Sequence, residues 1–200
     1  MDEAGCFWKG LPEVSLNEKG GCCTGGKKSM QRNTWAFFVN AAGGKEDPIV
    51  IGKSEKPRCF KNLKDISRPY KCHYVANNKA WMNSDLMLEI LLSLDRRLQR
   101  QQREILLFMD NAPCHSASFH LRNITVYFLP KNTTSKTQPL DSGIIASWKC
   151  KYKKKLLHYV CSKVDGSNSA SDIVKSVKVL MSIEWGRQAW DDVSRETIVK

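Results

Sequence analysis

The sequence predicts one α/β domain in which helices are laid against a mixed sheet, and three features predict it. An unbroken apolar run, Ile105–Met109, has the composition of a strand buried on both faces at the centre of a sheet. Two long segments, one starting near Ser84 and one near Pro139, repeat apolar residues at helical spacing. Two shorter strand-like runs are separated by a polar loop and read as a hairpin.

The chain has 200 residues, 42% of them hydrophobic, enough for one domain with its own core. Its 32 Lys and Arg against 20 Asp and Glu leave a net charge of +12. That balance suits a polyanion such as nucleic acid, or else a lysine-rich solubilising surface. Eight cysteines are present without a single CxxC, which argues against a structural zinc module and for reduced thiols in the cytosol or nucleus. The vicinal pair Cys22-Cys23, set between glycine pairs, reads as a loop. No apolar run approaches the length of a membrane span.

The elements follow in order. The first thirty-odd residues are rich in Gly and Lys and predict a turn-laden lead-in. Residues 34–40 and 48–52 form the hairpin strands, with 41–47 as the loop. Residues 53–82 are expected to be irregular, with Pro57 and Pro69 breaking any helix. Asn83 or Ser84 caps a helix whose stripe is Leu86, Met87, Ile90, Leu91, Leu94 and Leu98. Arg96, Arg97, Arg100 and Arg103 gather at its far end, where they complement the helix dipole. After Ile105–Met109 comes another strand over 124–129, stopped by Pro130. The last long helix runs to about Val164 with Ile145, Trp148, Tyr152, Leu156, Tyr159 and Val160 on one stripe. Turn residues 165–169 separate a core of 1–164 from a helical extension, 165–200, of the same domain.

Chemistry is sought first at strand ends. Asp110 follows the central strand, where α/β sheets gather ligands, although it could equally cap the turn made with Asn111 and Pro113. Asp141 lies four residues before Ile145 and seven before Trp148, so it is expected on the face that packs on the sheet. A carboxylate there needs a counter-charge, and a divalent cation supplies one better than a helix N-terminus does. The alternative is a partly exposed N-terminal aspartate. His115 is read as satisfying the turn after Asp110, the other reading being a proton carrier. Lys149, Lys151, Lys153, Lys154 and Lys155, interleaved with Trp148 and Tyr152, suit contacts to a phosphate backbone or a solvated helix face.

Three segments carry a resemblance: Met1–Trp8, Ile105–His115 (ILLFMDNAPCH) and Phe128–Asp141 (FLPKNTTSKTQPLD). Asn40-Ala-Ala-Gly43, Ile51-Gly-Lys-Ser54, Asn78–Met82 and Gln188–Asp191 extend it over nearly the whole chain. In these the sequence resembles the pogo/Tigger (DDE-type) transposases, a family with host-adopted Jerky-like and centromere-protein-B-like members. The resemblance implies a ribonuclease-H-like mixed sheet flanked by helices. It sets the family's three acids on Asp2, Asp110 and Asp141, with residues 111–140 between the second and third. It further implies two Mg²⁺ or Mn²⁺ ions about 3.5–4 Å apart, phosphoryl transfer on DNA, a nuclear location and pairing of two full-length chains.

The sequence departs from the family at its front, where Asp2 follows Met1 directly. The first strand is expected to be truncated and Asp2 to fray, with Glu3 competing for metal and catalysis weak or absent. A host-adopted or decayed DNA-binding protein without catalysis is the alternative that this departure raises.

Overall fold

The computed structural model describes residues 1–11, 31–63, 66–115, 120–130, 137–164 and 169–199. Strand β1 (Asp2–Phe7) pairs antiparallel with β2 (Arg32–Phe37), and β2 pairs antiparallel with β3 (Ile49–Gly52). The predicted hairpin is therefore present, with Val39 bridging to Lys45 across its loop. Against β3 lies a parallel edge strand, β4 (His73–Ala76). It falls in the stretch expected to be irregular, together with a 3₁₀ turn (Arg58–Phe60) and a one-turn helix, α1 (Ser67–Tyr70). Pro69 does not prevent that turn, because first-turn amides have no intrahelical partner to lose.

Helix α2 (Ser84–Arg100) starts where the Asn83 side chain accepts the Leu86 amide at 3.0 Å. Strand β5 (Ile105–Met109) follows, and β6 (Ile124–Phe128) runs parallel to it. The amides of Arg122 and Asn123 donate to the buried Asp95 carboxylate of α2, at 3.3 and 2.7 Å, and so anchor the start of β6. The β5–β6 pair meets the larger sheet where the Met1 ammonium donates to the Phe108 carbonyl at 2.8 Å. β5 thus lies beside the start of β1.

Alternation along the strands sorts two cores. Ala4, Cys6, Trp35, Phe37 and Val50 face one side, and Ala36, Phe38, Ile49 and Ile51 the other. Helix α2, with Leu107 and Met109 of β5, completes the second core. β5 is not buried on both faces as its composition suggests: Leu106 and Phe108 are 54% and 46% exposed. Phe108 instead packs edge-on against the exposed Tyr127 of β6, 5.5 Å between rings.

The first core is closed by α3 (Ile145–Cys161), α4 (Ala170–Ser176), α5 (Val179–Asp191) and α6 (Arg195–Val199). Trp148 of α3 sits 5.1 Å from Trp35 and 4.9 Å from Phe37, while Trp190 of α5 lies 4.4 Å from Phe37. Such aromatic pairs add roughly 0.5–1.5 kcal/mol each beyond the area they bury. The Trp148 indole donates to the Gly186 carbonyl at 2.8 Å, and Tyr152 donates to the Trp8 carbonyl at 3.0 Å. Lys45, in the hairpin loop, donates to the carbonyls of Trp190, Asp191 and Val193 and closes the C-terminal end of α5. The residues after 168 are thus woven into the core rather than appended to it.

Gly186 is the tight point of this packing, because a Cβ added there would overlap the Trp35 indole. Gly186→Ala is expected to lower stability by about 1–3 kcal/mol, read as a lower urea midpoint at unchanged m-value.

Candidate metal centre

The three acids predicted from the sequence come from three elements that reach one end of the sheet. Asp2 is the first residue of β1, Asp110 follows β5 directly, and Asp141 sits in the turn that leads into α3. Asp110 stands at the strand end as expected, whereas Asp2 and Asp141 are placed differently from their expectations.

Asp2 does not fray. It is paired with Phe37 in the β1–β2 ladder, its side chain is buried, and its Oδ1 accepts the Glu3 amide at 2.7 Å. Burial pushes its carboxyl up to about 7, and the charge of Asp141 is the next largest cause. The Glu3 amide bond lowers it, and the charges of Glu3 and Asp110, each a smaller influence than that bond, raise it. Asp2 therefore feels both other acids.

Asp141 is exposed, not turned into the sheet. The helix begins as a π turn (Leu140–Ile144), in which the Ile145 amide reaches back to the Leu140 carbonyl. The wider turn shifts the phase by one residue, so that Leu140, Ile144, Ile145 and Trp148 face the core and Asp141 falls at the rim. Gly143 permits the turn: its φ of 140° is strained for a side-chain-bearing residue.

Asp110 is held by its own turn. Its Oδ1 accepts the Ala112 amide at 3.1 Å and lies 2.6 Å from Nδ1 of His115, and the Asn111 side chain donates through Nδ2 to the Leu129 carbonyl. His115 is fully buried in the 3₁₀ turn Pro113–His115, as the turn reading expects, but it also spans to another element. Its Nε2 lies 2.9 Å from Glu3 Oε1. Burial, the largest influence, lowers the His115 value, yet the Glu3 bond and the charges of Glu3 and Asp110 leave it raised overall. Glu3 is consequently no free competitor for metal. One residue after Asp2, it points to the opposite sheet face and is engaged there.

Sequence reasoning does not single out Gln138. It is 2% exposed, it donates to the Met1 carbonyl at 3.4 Å, and its buried Oε1 has no hydrogen-bond partner. Residues 131–136 of the motif that ends at Asp141, and the Cys22-Cys23 pair, lie outside the described residues.

The lysines of α3 divide by environment. Lys149, Lys153 and Lys154 are exposed, whereas Lys155 pairs with Asp192 at 3.0 Å and Lys151 is half-buried. Lys149 and Lys153 stand on the β1 side, where their charges draw down the Cys6 thiol even though burial pushes it up to about 12.

Carboxylate oxygens are the donors a hard divalent cation takes, and a cation would relieve the crowding that raises Asp2. Among the described residues, however, no three Asp, Glu, His or Cys side chains stand close enough to share one ion. The donor chemistry fits a metal, while the spacing is that of an open cluster.

Three antiparallel strands, a parallel pair beside the first of them, and helices on both faces define a mixed α/β protein. More particularly, residues 30–200 match the family model described as DDE superfamily endonuclease, and the chain belongs to that family. It is 31% identical over its whole length to Tigger transposable element-derived protein 4 of Mus musculus, covering 37% of that protein. Over 96% of the chain it is 28% identical to CENP-B homolog protein 2 of Schizosaccharomyces pombe, covering 38%. Over 72% it is 30% identical to a human Jerky protein homolog, covering 27%. The chain thus spans under two-fifths of these relatives. The solved Mos1 transposase paired-end complex with left transposon end aligns with 98% of this chain and 54% of that one, at 14% identity and a TM-score of 0.46.

Asp2 gives the cluster a measurable signature. Its value in the folded state lies above its unfolded one, so between about pH 4 and 7 the folded chain keeps a proton that the unfolded chain has released. Stability should fall as pH rises through that window, by a few kcal/mol at most, and level off above it. Asp2→Asn should remove this loss and unfold at higher urea than wild type at pH 8 in EDTA, with the gap closing at pH 4.

Proposed function

We propose that the chain is the core of a pogo/Tigger-type transposase that cuts and joins DNA by divalent-metal-dependent phosphoryl transfer. One observation carries this reading: Asp2 is buried at the end of the sheet where the charges of Asp141 and Asp110 act on it. Such crowding of acids marks functional sites more often than structural ones. Asp2, Asp110 and Asp141 would hold Mg²⁺ or Mn²⁺, which supplies a nucleophilic oxygen at neutral pH and stabilises the leaving 3′-oxygen. The chain's own part is to orient these acids from two strand ends and a helix start. The DNA would lie along the exposed side of α3, where Lys149, Lys153 and Lys154 meet its phosphates. A DNA partner puts the protein in the nucleus, and pairing of two full-length chains belongs to the same proposal. No helix among the described residues is long and apolar enough to cross a membrane.

A second reading, a DNA-binding protein that keeps the fold without the chemistry, is favoured by the spacing, since no three ligands stand together among the described residues. Nicking of supercoiled plasmid in Mn²⁺ separates the two. Under the first reading the wild-type chain nicks, and Asp110→Asn or Asp141→Asn lowers the rate at least about a hundredfold, equivalent to several kcal/mol. Nicking that persists in the double variant overturns the metal mechanism, and an inert wild type that still binds DNA supports the second reading.

DNA affinity tests the lysines under either reading. Replacing Lys149, Lys153 and Lys154 with Ala should weaken binding and flatten its salt dependence by about one unit of slope for each phosphate no longer neutralised. Lys155→Ala should matter less, because its charge is already engaged by Asp192.

A further inference from the structure

Asp110 is the only one of the three acids whose carboxylate is gripped by a fully buried side chain from its own turn among the described residues. Two partners converge on a single oxygen: the Ala112 amide donates to Oδ1 at 3.1 Å, and His115 Nδ1 stands 2.6 Å from it as an ion-pair contact. Nδ1 carries a hydrogen, because both of its neighbours are acceptors: the carboxylate, and the Asp110 carbonyl to which it donates at 3.2 Å. Neither side-chain contact is made to Oδ2. The opposite ring nitrogen is anchored by Glu3 at 2.9 Å, and Glu3 is fixed by the β1–β2 ladder through its pairing with Ala36. The imidazole is therefore held at both ends, by the strand that carries Asp2 and by the turn that carries Asp110. Its burial leaves it no path to solvent or to a phosphate.

We infer that His115 is the positioning residue of Asp110: braced by Glu3 across the sheet end, it holds Oδ1 and leaves Oδ2 as the cation-binding atom. The inference rests on the two-metal reading above and adds how one of its acids is aimed. A carboxylate rotates freely about its Cβ–Cγ bond unless one oxygen is fixed, and a ligand left to rotate loses metal affinity through the order it must gain on binding. The brace also fixes the separation of β1 from the β5 turn on the face opposite Asp2, since Glu3 and Asp2 are consecutive residues on opposite faces. Aiming of one acid and spacing of two are thus linked through a single ring.

Three substitutions separate positioning from simple packing. His115→Asn keeps a donor near the Nδ1 position and gives up the bond to Glu3; His115→Gln keeps a donor near Nε2 and gives up the bond to Asp110; His115→Ala gives up both. Mn²⁺ binding to the full chain, followed by electron paramagnetic resonance, reads the outcome without needing turnover. Affinity in His115→Gln and His115→Ala is expected to fall about 10- to 100-fold, and in His115→Asn, which keeps the contact to Asp110 but loses the Glu3 brace, by less than in either. Urea unfolding should not follow that order: all three variants lose stability, because each leaves at least one half-buried carboxylate without its partner. Equal Mn²⁺ affinity in wild type and all three variants overturns the positioning role and leaves the two-metal reading intact. So does an affinity that merely tracks stability. A wild-type chain that binds no Mn²⁺ overturns the two-metal reading itself, a failure visible before any variant is compared.

Discussion

The seat of Trp148 between Trp35, Phe37 and the carbonyl of Gly186 fixes where α3 crosses the sheet, and most of the molecule's arrangement follows from it. A large indole in a close-packed core admits one helix position, because small shifts sacrifice many van der Waals pairs at once. With Trp148 set, the register of Tyr152, Leu156 and Val160 is set behind it, and that of Ile144 and Leu140 ahead. Asp141 then stands wherever the first turn leaves it. The π turn at Leu140–Ile144 resolves the conflict between the two ends: it keeps both Leu140 and Ile145 in the core and moves the intervening acid to the rim. The C-terminal helices serve the same seat, since Trp190 and the backbone of Gly186 form its far wall.

Strand alternation governs the charges. Asp2 and Glu3 are consecutive acids with different surroundings, because a strand sends successive side chains to opposite faces. Asp2 enters the half-space of α3 and meets the field of Asp141, while Glu3 enters that of α2 and is tied to His115. One acid is left crowded, with its carboxyl pushed up to about 7, and the other is tied to the His115 ring. Two acids in sequence would repel on one surface; here the sheet itself separates them.

Much of this is legible in the sequence, and the misses have physical reasons. The hairpin, α2 with its Asn83 cap and the long helix follow from periodicity and capping, which are local signals. β4 is four residues long and only partly buried, so no alternation marks it, and its pairing with β3 is a tertiary event. The Ile105–Met109 run reads as central because all five residues are apolar, yet composition cannot tell which face a neighbour covers. Asp110 stands out because strand ends are where ligands gather. The orientation of Asp141 escapes because helical spacing assumes 3.6 residues per turn, and a single π turn breaks that assumption without a distinctive sequence beyond Gly143. The links of Glu3 to His115 and of Asp95 to Arg122 and Asn123 join residues far apart in the chain and leave no local signal.

The packing and the acid cluster are physically separable. The Trp35–Phe37–Trp148–Trp190 cluster holds the fold together by burial and ring contact, and neither depends on whether Asp2 is charged. A chain that needed only the scaffold would be more stable at neutral pH with an uncharged amide at that position, because a buried acid that resists ionisation lowers stability as pH rises. Stored cost of this kind is usual at functional sites and unusual in scaffolds. Asp2 bears that cost at the sheet end where the strand bearing Asp110 and the turn bearing Asp141 converge, so the disadvantage falls on the one region where a cation would offset it.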